Sequence, residues 1–327
     1  MMPAGIDGAQ AAQQSRAMIT RILCTDLAGL RAQALGLAEA AGLTPDLQNL
    51  KFRSPWDKIS PGLWLSVRWA VEGAAFAEPL PPVVMGAGGA GARVAAALRR
   101  PGVKTVAIQH PRMALDKFDL VMAARHDGIS GDNVVVTRTA LHRVTPARLA
   151  AEAIAWAPFF APFRRPLVAV LLGGSNGRYR FDPPQARDLA AQFAAMMERD
   201  RVGLVITPSR RTDPDVVKIL QEALLPRGAW IWDGSGENPY FGMLACADAI
   251  IVTADSVSMV SEAVATSAPV LLVRLPGRSA RIGAFMDALV EDKRACDFAG
   301  HLKLWDTKPL DDTAMAAAEL RRRLGLE

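Results

Sequence analysis

The sequence predicts an α/β protein made of two Rossmann-like domains that face each other across a cleft. Apolar runs bounded by Gly, Pro or Asp alternate with Ala-rich stretches along the chain, as expected for parallel sheets covered by helices. The chain has 327 residues, enough for about two domains of ordinary size. A proline-rich stretch at 157–166 precedes a second round of the same pattern. We therefore expect domains at 1–156 and 167–310, a linker at 157–166, and a C-terminal helix at 311–327.

In the first half, six short apolar runs predict strands. Helices are expected after the first and third of them, at 33–41 and 92–99, where Ala-rich sequence follows a turn. The six predicted strands are 22–25, 63–67, 83–85, 104–108, 120–123 and 134–136.

In the second half, fully apolar runs predict five further strands, buried on both faces as in a parallel sheet. Helices are expected at 184–199 and 215–224, and another begins near Ser256. The five predicted strands are 167–172, 203–207, 229–232, 249–253 and 270–273.

Composition excludes several classes of protein. Hydrophobic residues make up 50% and charged residues 22% of the chain, which excludes a mainly disordered protein. The three cysteines are widely spaced and form no CxxC pair, so the sequence predicts neither a disulfide scaffold nor a zinc site, and a reducing compartment fits best. The first twenty residues do not resemble a signal peptide, and no apolar run reaches the roughly 18 residues of a membrane span. We expect a soluble cytoplasmic protein with no integral membrane segment and no bound metal.

The basic residues are dominated by arginine: 30 of the 38 are Arg, and the net charge is +5. This excess is typical of a GC-rich genome, but guanidinium groups also bind phosphates and carboxylates bidentately. Seven Arg follow predicted strands of the second half, where ligands of open α/β sheets bind. They are Arg178, Arg180, Arg210, Arg211, Arg274, Arg278 and Arg281. Their position favours a small anionic ligand over nucleic acid or a membrane, because no continuous basic helix with interleaved aromatics is present.

A glycine-rich turn, Gly86-Ala87-Gly88-Gly89-Ala90-Gly91, follows a predicted strand and precedes a helix. Such turns bring backbone N–H groups close to an anion at a helix N-terminus. A nicotinamide site would add an acidic residue at the end of the next strand, but that strand ends in Gln109-His110. The turn is therefore expected to serve close helix–sheet packing or to contact an acceptor phosphate.

A second turn, Asp255–Ser258, follows the fully apolar run 249–253. Ser256 or Ser258 can cap the following helix, whose free N–H groups suit a pyrophosphate. Glu262 lies one helical turn beyond Ser258 and could accept hydrogen bonds from ribose hydroxyls. The alternative is an ordinary helix cap with a solvated Glu262.

Histidines supply the candidate base. His110 and the pair His126-Asp127 follow neighbouring strands of the first half and are expected to face the cleft. A histidine beside a carboxylate can take a proton from a hydroxyl group. The alternative is that they are structural loop residues.

Motifs along most of the chain resemble a known family. The main ones are 238–245 (NPYFGMLA) and 247–263 (ADAIIVTADSVSMVSEA) of the second half, and the match extends to 173–174, 207–211, 119–121, 126–127 and 33–40. The chain resembles the mitochondrial fission family known from the plant elongated-mitochondria protein, whose bacterial members have been loosely labelled nucleoside-diphosphate-sugar epimerases. That family is similar to GT-B glycosyltransferases, including the one that adds N-acetylglucosamine to the peptidoglycan lipid precursor.

The resemblance implies a donor site in the second half. Gly173, Gly174 and Ser175, with the turn Ser256–Met259, would hold a donor diphosphate, and Glu262 would hold the ribose. The residues implied or indicated for binding are Gly173, Gly174, Ser175, Arg210, Arg211, Asp255, Ser256, Ser258, Met259 and Glu262.

The catalytic group is less well specified. An apolar Leu30 stands where GT-B relatives suggest a base, so the base comes from His110, His126 or Asp127, or is absent. A short-chain epimerase needs Tyr-x-x-x-Lys, which neither Tyr179 nor Tyr240 supplies. We expect a GT-B-like protein that binds a nucleotide-diphospho-sugar as donor substrate, needs no cofactor, and performs metal-independent glycosyl transfer. The alternative is a non-catalytic GT-B scaffold that recruits a protein partner, as plant relatives recruit a fission dynamin.

Overall fold

The computed structural model describes residues 18–326, which form two six-stranded parallel sheets, one in each half of the chain. Every pair of neighbouring strands is parallel, so each sheet has all of its carboxyl ends along one edge. The predicted α/β class with two Rossmann-like halves is confirmed.

The first sheet has the order β2-β1-β3-β4-β5-β6. Its middle strands are fully buried because helices cover both faces, which explains their continuous apolar runs. The elements are β1 (Ile19–Cys24), α1 (Ala28–Ala40), β2 (Thr44–Asn49), α2 (Val67–Ala70), β3 (Val83–Ala87), α3 (Gly88–Ala97), β4 (Lys104–Ile108), β5 (Leu120–Ala124) and β6 (Val134–Thr137).

The second sheet has the order β12-β11-β10-β7-β8-β9 and is built around the fully buried strands β7, β8 and β10. The elements are α4 (Pro146–Phe160), β7 (Leu167–Leu172), α5 (Pro183–Asp200), β8 (Gly203–Pro208), α6 (Pro214–Leu224), β9 (Trp230–Ile231), α7 (Tyr240–Cys246), β10 (Ala249–Thr253), α8 (Val257–Val264), β11 (Val270–Val273), α9 (Ala280–Glu291), β12 (Ala295–Asp297) and α10 (Thr313–Leu324).

One predicted strand is wrong. Residues 63–67 form the end of a 3-10 turn, Pro61–Leu63, and the start of α2, while the second strand of the sheet is Thr44–Asn49. Trp64 points inward and its indole N–H donates to the carbonyls of Trp56 and Ile59, which holds the segment in turns. The actual strand was missed because Pro45, Asp46 and Asn49 have low strand propensity.

The predicted linker at 157–166 begins inside a helix. Thr145 caps α4 by accepting from the Arg148 N–H at 3.1 Å, and Pro146 occupies its first turn. Pro158 lies in the last turns of α4, where the Ala161 N–H still bonds to the Ala157 carbonyl. The helix persists because Phe160 is fully buried in the core of the second half.

The C-terminal helix returns to the first half. The buried side chains of α10, including Leu320 and Leu324, join a core that contains Leu37 of α1 and Met122 of β5. Arg138, after β6, forms an ion pair with Asp312 just before α10. The chain therefore crosses between the halves twice, before β7 and again after β12. Within residues 18–326, no helix has the length and apolar character needed to span a membrane.

Candidate functional site

A cavity of about 200 Å³ lies between the carboxyl edges of the two sheets. The first half contributes Gln33 from α1 and the segments that follow β4 and β5. The second half contributes Arg211, the turn from Asp255 to Ser258, and the start of α9. The candidate site is therefore an interdomain cleft, where ligands of open α/β sheets bind.

The turns after β7 and β10 are joined by a polar network. The Gly173 N–H donates to Thr253 Oγ1 at 2.7 Å, and that hydroxyl donates to Asp255 Oδ1 at 2.7 Å. A Cβ on Gly173 would lie 2.1 Å from the Asp255 carboxylate, so only glycine allows this approach. The glycine pair Gly173-Gly174 thus brings the backbone next to a buried acid.

The Asp255 carboxylate is paired with groups of the protein itself. Its side chain is fully buried, and Arg211 Nη2 contacts Oδ2 at 2.8 Å. The Gly174 N–H approaches the same oxygen at 3.4 Å. Asp255 lines the cavity, but its geometry is that of a residue that positions Arg211 and the glycine turn.

The first turn of α8 faces the cavity. Ser256 Oγ accepts from the Met259 N–H at 3.4 Å, a long cap, and the first intrahelical bond runs from the Val260 N–H to the Ser256 carbonyl. The N–H groups of Val257 and Ser258 precede that bond and, with the positive end of the helix dipole, suit an anion. Ser256, Val257 and Ser258 line the cavity, whereas Met259 packs half-buried against the core.

Gln33 links the two halves across the cleft. Its amide donates to Ser258 Oγ at 3.3 Å and accepts from Gln109 Nε2 at 3.3 Å. A Cβ on Gly29 would lie 2.6 Å from Ser258 Oγ, so the start of α1 also abuts the start of α8. Because Gln33 donates to Ser258, the Ser258 hydroxyl hydrogen can point to a ligand.

His126 lines the cavity from the first half, and its ring packs against Phe285 of α9 in a tilted arrangement, with 5.0 Å between ring centroids. Burial lowers the pKa of His126, an effect that the nearby Arg281 reinforces and Asp127 opposes. Its Nδ1 is buried without a hydrogen-bond partner among residues 18–326. A neutral imidazole at this position can accept a proton.

Asp127 is held by an ion pair across the cleft. Its carboxylate is 2% exposed, and Oδ1 lies 2.6 Å from Arg281 Nη1 of α9. The Ala124 N–H donates to its other oxygen at 3.2 Å. Asp127 was predicted as a candidate base, but in the structure its carboxylate is already paired with the Arg281 guanidinium group.

The other predicted site residues lie apart from the cavity lining. His110 Nδ1 accepts from the Arg112 N–H, and Ser175 exchanges hydrogen bonds with the Phe181 backbone. Arg210 is exposed, 3.6 Å from the exposed Asp26. Of the seven predicted arginines, Arg211 and Arg281 line the cavity. Arg180 pairs with Asp182, and Arg274 with Asp287 and Asp297, on the surface.

Glu262 belongs to α8, is buried outside the cavity lining, and accepts a short hydrogen bond from the Tyr240 hydroxyl at the start of α7. Burial raises the pKa of Glu262 to about 7, although the bond from Tyr240 opposes the shift. The alternative of a solvated first-turn acid is wrong. Glu262 is a buried acid next to a partly buried phenol.

The glycine-rich turn of the first half is filled by its own backbone. A Cβ on Gly86 would lie 2.3 Å from the Gly91 carbonyl oxygen, and one on Gly91 would lie 2.2 Å from the Leu23 carbonyl oxygen. Gly88 has a positive φ and abuts Leu30. Of the two interpretations, close helix–sheet packing fits this geometry.

Sequence reasoning missed two polar residues that line the cavity, Gln33 and Gln109, and also Tyr240, which donates to Glu262. Gln33 and Tyr240 lie within the stretches that carry the family resemblance, which is the signal that could have identified them. Gln109 has a positive φ of 71° after β4, a backbone conformation the sequence does not reveal.

The family comparison covers most of the chain. A family model described as "Mitochondrial fission ELM1" matches residues 28–324. "Mitochondrial fission protein ELM1" of Arabidopsis thaliana is 34% identical over 276 residues, which cover 75% of this chain and 64% of that protein. An uncharacterized protein of Rickettsia prowazekii is 30% identical over 205 residues, 59% of this chain and 56% of the relative. The matches thus span less than two thirds of the length of these curated relatives.

Solved structures show the same architecture at low sequence identity. UDP-GlcNAc 2-epimerase from Neisseria meningitidis, bound to UDP-GlcNAc, has a TM-score of 0.54 at 12% identity, covering 94% of this chain and 100% of that chain. The S. aureus MnaA–UDP structure has a TM-score of 0.55 at 12% identity, covering 95% and 98%. The glycosyltransferase SnogD from Streptomyces nogalater has a TM-score of 0.50 at 16% identity, covering 95% and 96%. These similarities confirm the predicted GT-B-like fold.

Proposed function

The chain belongs to the mitochondrial fission ELM1 family, and from that premise we propose that its cleft binds a nucleoside-diphosphate sugar and transfers the sugar to an acceptor hydroxyl. One observation carries this proposal. The open first turn of α8 and Arg211 lie on one side of a single cavity, and His126 lies on the other. An anion site thus faces a group able to take a proton.

The diphosphate is the part of the ligand that the second half accommodates best. The N–H groups at the start of α8 and the guanidinium of Arg211 suit its oxygens. Two structural neighbours support a nucleoside diphosphate as the ligand class, because they were solved with UDP-GlcNAc or UDP. Glu262 is the ribose contact in this proposal: Tyr240 occupies one of its oxygens, and the carboxyl group keeps further acceptor sites for hydroxyls.

The proposed reaction exchanges one bond at the anomeric carbon for another and moves one proton. The acceptor oxygen bonds to the anomeric carbon, and the bond from that carbon to the diphosphate oxygen breaks, with its electron pair leaving on the diphosphate. The helix terminus and Arg211 stabilise the departing charge. His126 takes the proton from the acceptor hydroxyl, a role that suits an imidazole whose pKa is lowered by burial.

Calorimetric titration with UDP and UDP-GlcNAc tests the donor site. Ser256→Ala removes a side chain at the start of α8, and we expect it to weaken UDP binding about tenfold, because a hydrogen bond to a charged group is lost. The matched control is Ser279→Ala, which removes the same 3.4 Å cap from α9. If both variants lost the same UDP affinity, or if the wild-type protein did not bind UDP, α8 would be ruled out as the diphosphate site.

A second candidate function is a non-catalytic scaffold that binds a protein partner. It is favoured by the two ion pairs of the cavity, Arg211–Asp255 and Arg281–Asp127, which satisfy its charges within the chain. His126→Ala separates the two candidates. Catalysis requires that this variant lose turnover of a sugar donor and keep its UDP affinity. A scaffold would show no turnover in the wild-type protein and the same cellular phenotype in the variant.

A further inference from the structure

The connection between β2 and β3, residues 50–82, is a compact excursion at the rim of the first half. Phe52 and Val71 form an antiparallel bridge that closes it. Trp64 is buried inside it, stacked at 5.3 Å on Phe52, and its carbonyl accepts from Arg93 of α3. The excursion is therefore held by a buried aromatic anchor.

Three large apolar side chains of this excursion point into solvent. Leu63 is 73% exposed, Leu65 is 82% exposed and Trp69 is 61% exposed, all within seven consecutive residues. Leu63 and Leu65 flank the buried Trp64, so the anchor that holds the turn also turns its two neighbours outward. Clustered exposed apolar side chains on a folded protein mark a contact surface, whereas isolated ones do not.

The same surface carries more cations than acids. Lys51, Arg53, Lys58 and Arg68 are exposed on the excursion, whose acids are Asp57, Glu72 and Glu78, and Glu78 is paired with Arg100 of the neighbouring surface. Arg53 Nη1 donates to the Arg68 carbonyl at 3.3 Å, which holds the Arg53 side chain against the backbone of the residue before Trp69. Arg68 stacks on Phe76 at 4.9 Å, so its charge is held at the surface.

We propose that this excursion binds the surface of an anionic lipid bilayer, with Leu63, Leu65 and Trp69 inserted at the boundary between headgroups and acyl chains. Protruding apolar tips surrounded by Lys and Arg suit an anionic headgroup layer, to which each cation contributes. Trp is favoured at that depth because its ring is amphipathic. The net charge of the chain gave no sign of this surface, because the relevant cations are local to one excursion.

Vesicle co-sedimentation tests the proposal with the full chain. We expect wild-type protein to bind phosphatidylcholine vesicles that contain about 30% phosphatidylglycerol, and to bind pure phosphatidylcholine vesicles weakly. Leu65→Ser and Trp69→Ser each lower the partition coefficient about tenfold, because an inserted side chain is lost. The matched control is Ile154→Ser on α4, a side chain that is 79% exposed in the other half, and we expect no change.

Charge reversal separates the lipid from other partners. Lys58→Glu lowers binding to anionic vesicles more than Lys218→Glu, a reversal at an exposed lysine of α6. UDP titration of each variant reports whether the cleft is intact, so failure of the donor site and failure of this surface are distinguishable. Three results would overturn the proposal. They are wild-type binding to neutral vesicles that equals its binding to anionic ones, a loss of vesicle binding in Ile154→Ser as large as in Leu65→Ser, and no vesicle binding by the wild-type protein. A wild-type dimer that Leu65→Ser converts to a monomer would overturn it as well, since the surface would then pair two copies of the chain.

Discussion

The two halves have glycine-rich turns at the same topological position, but the two turns have different roles. Each sheet has a point where its strand order reverses, between β1 and β3 in the first half and between β7 and β10 in the second, and ligands bind at such points. At the first, the glycines bring backbone against backbone, with Gly91 packed on Leu23. At the second, Gly173 brings backbone against the buried carboxylate of Asp255.

The difference shows that glycine spacing alone does not identify a ligand site. The first turn has the spacing typical of a dinucleotide site but is filled by its own chain. The second has only a glycine pair, yet a polar network of Thr253, Asp255 and Arg211 surrounds it and a helix terminus opens beside it. What makes the second turn a candidate site is the chemistry of the residues opposite the glycines.

The largest effect is expected at the packed turn. Gly91→Ala places a Cβ against the Leu23 carbonyl and should lower the free energy of unfolding by about 3 kcal/mol, the cost of overpacking against backbone. The matched helical glycine is Gly283 of α9, which has open space around it. Gly283→Ala should stabilise by about 0.5 kcal/mol through helix propensity. Equal stability of the Gly91→Ala variant and wild type in urea unfolding would mean that this turn is not tightly packed.

A pH dependence is expected behind the open turn. The pKa of Glu262 is raised to about 7, above its value in the unfolded chain, so the folded state holds this proton more tightly. Its contribution to stability is present at acidic pH and is lost as pH rises from about 4.5 through 7. Glu262→Gln keeps an acceptor for Tyr240 without the charge. We expect its stability relative to wild type to rise by about 2–3 kcal/mol across that window.

Urea unfolding without nucleotide at several pH values measures this difference. Burial lowers the pKa values of His126 and His142, and their contributions have the opposite sign, since that stability is lost as pH falls below about 6.5. Both histidines are present in the two proteins and cancel in the comparison. A difference between Glu262→Gln and wild type that does not change with pH would contradict the raised pKa.

The neighbouring residues Arg210 and Arg211 allow the stability contributions of an exposed and a buried ion pair to be compared. Arg211→Gln leaves the fully buried Asp255 without its cation and should cost about 2 kcal/mol, less than for a deeply buried pair because Arg211 is half-exposed. Arg210→Gln breaks a pair whose two members are exposed and should cost less than about 0.5 kcal/mol. UDP affinity should fall with Arg211→Gln alone. Similar unfolding midpoints for the two variants would show that Asp255 does not depend on Arg211.

Among the residues that line the cavity, the smallest effect on stability is expected at Gln33, where the halves meet. Gln33→Leu removes the long hydrogen bonds with Ser258 and Gln109, whose half-buried side chains can bond to water instead, and should cost about 1 kcal/mol. Gln48→Leu is a control on the edge strand β2, where the Gln48 side chain donates to Asp46 two residues away. A loss of UDP affinity specific to Gln33→Leu is expected, measured by calorimetry, and unchanged affinity would separate Gln33 from the ligand site.

The sequence was sufficient to predict the parts of the fold that depend on local pattern. The buried strands β7, β8 and β10 were predicted closely because fully apolar runs between turn residues have few other solutions. The edge strand β2 was not, because half-buried Asp46 and Gln48 do not form an apolar run. The last turn of α4, residues 157–160, was interpreted as part of a linker, since the packing of Phe160 that preserves the helix is not visible in sequence.

The site shows a similar limit. The turn Asp255–Ser258 and Arg211 were predicted from spacing, and the structure brings them to one cavity with His126. The engagement of Asp127 by Arg281 joins residues 154 positions apart, and no local pattern encodes such a contact. Polar residues whose role depends on the meeting of two halves, such as Gln33, are therefore the ones that sequence reasoning misses.

The return of α10 to the first half has a consequence for how the protein is made. Helix α1 and strands β5 and β6 pack against α10, which is the last helix described. During synthesis from the N-terminus, the second half can complete its core before α10 emerges, whereas the first half cannot. The first sheet, although made first, is the later of the two to be finished. Any protease cut between β12 and α10 would thus damage the half that lies furthest away along the chain.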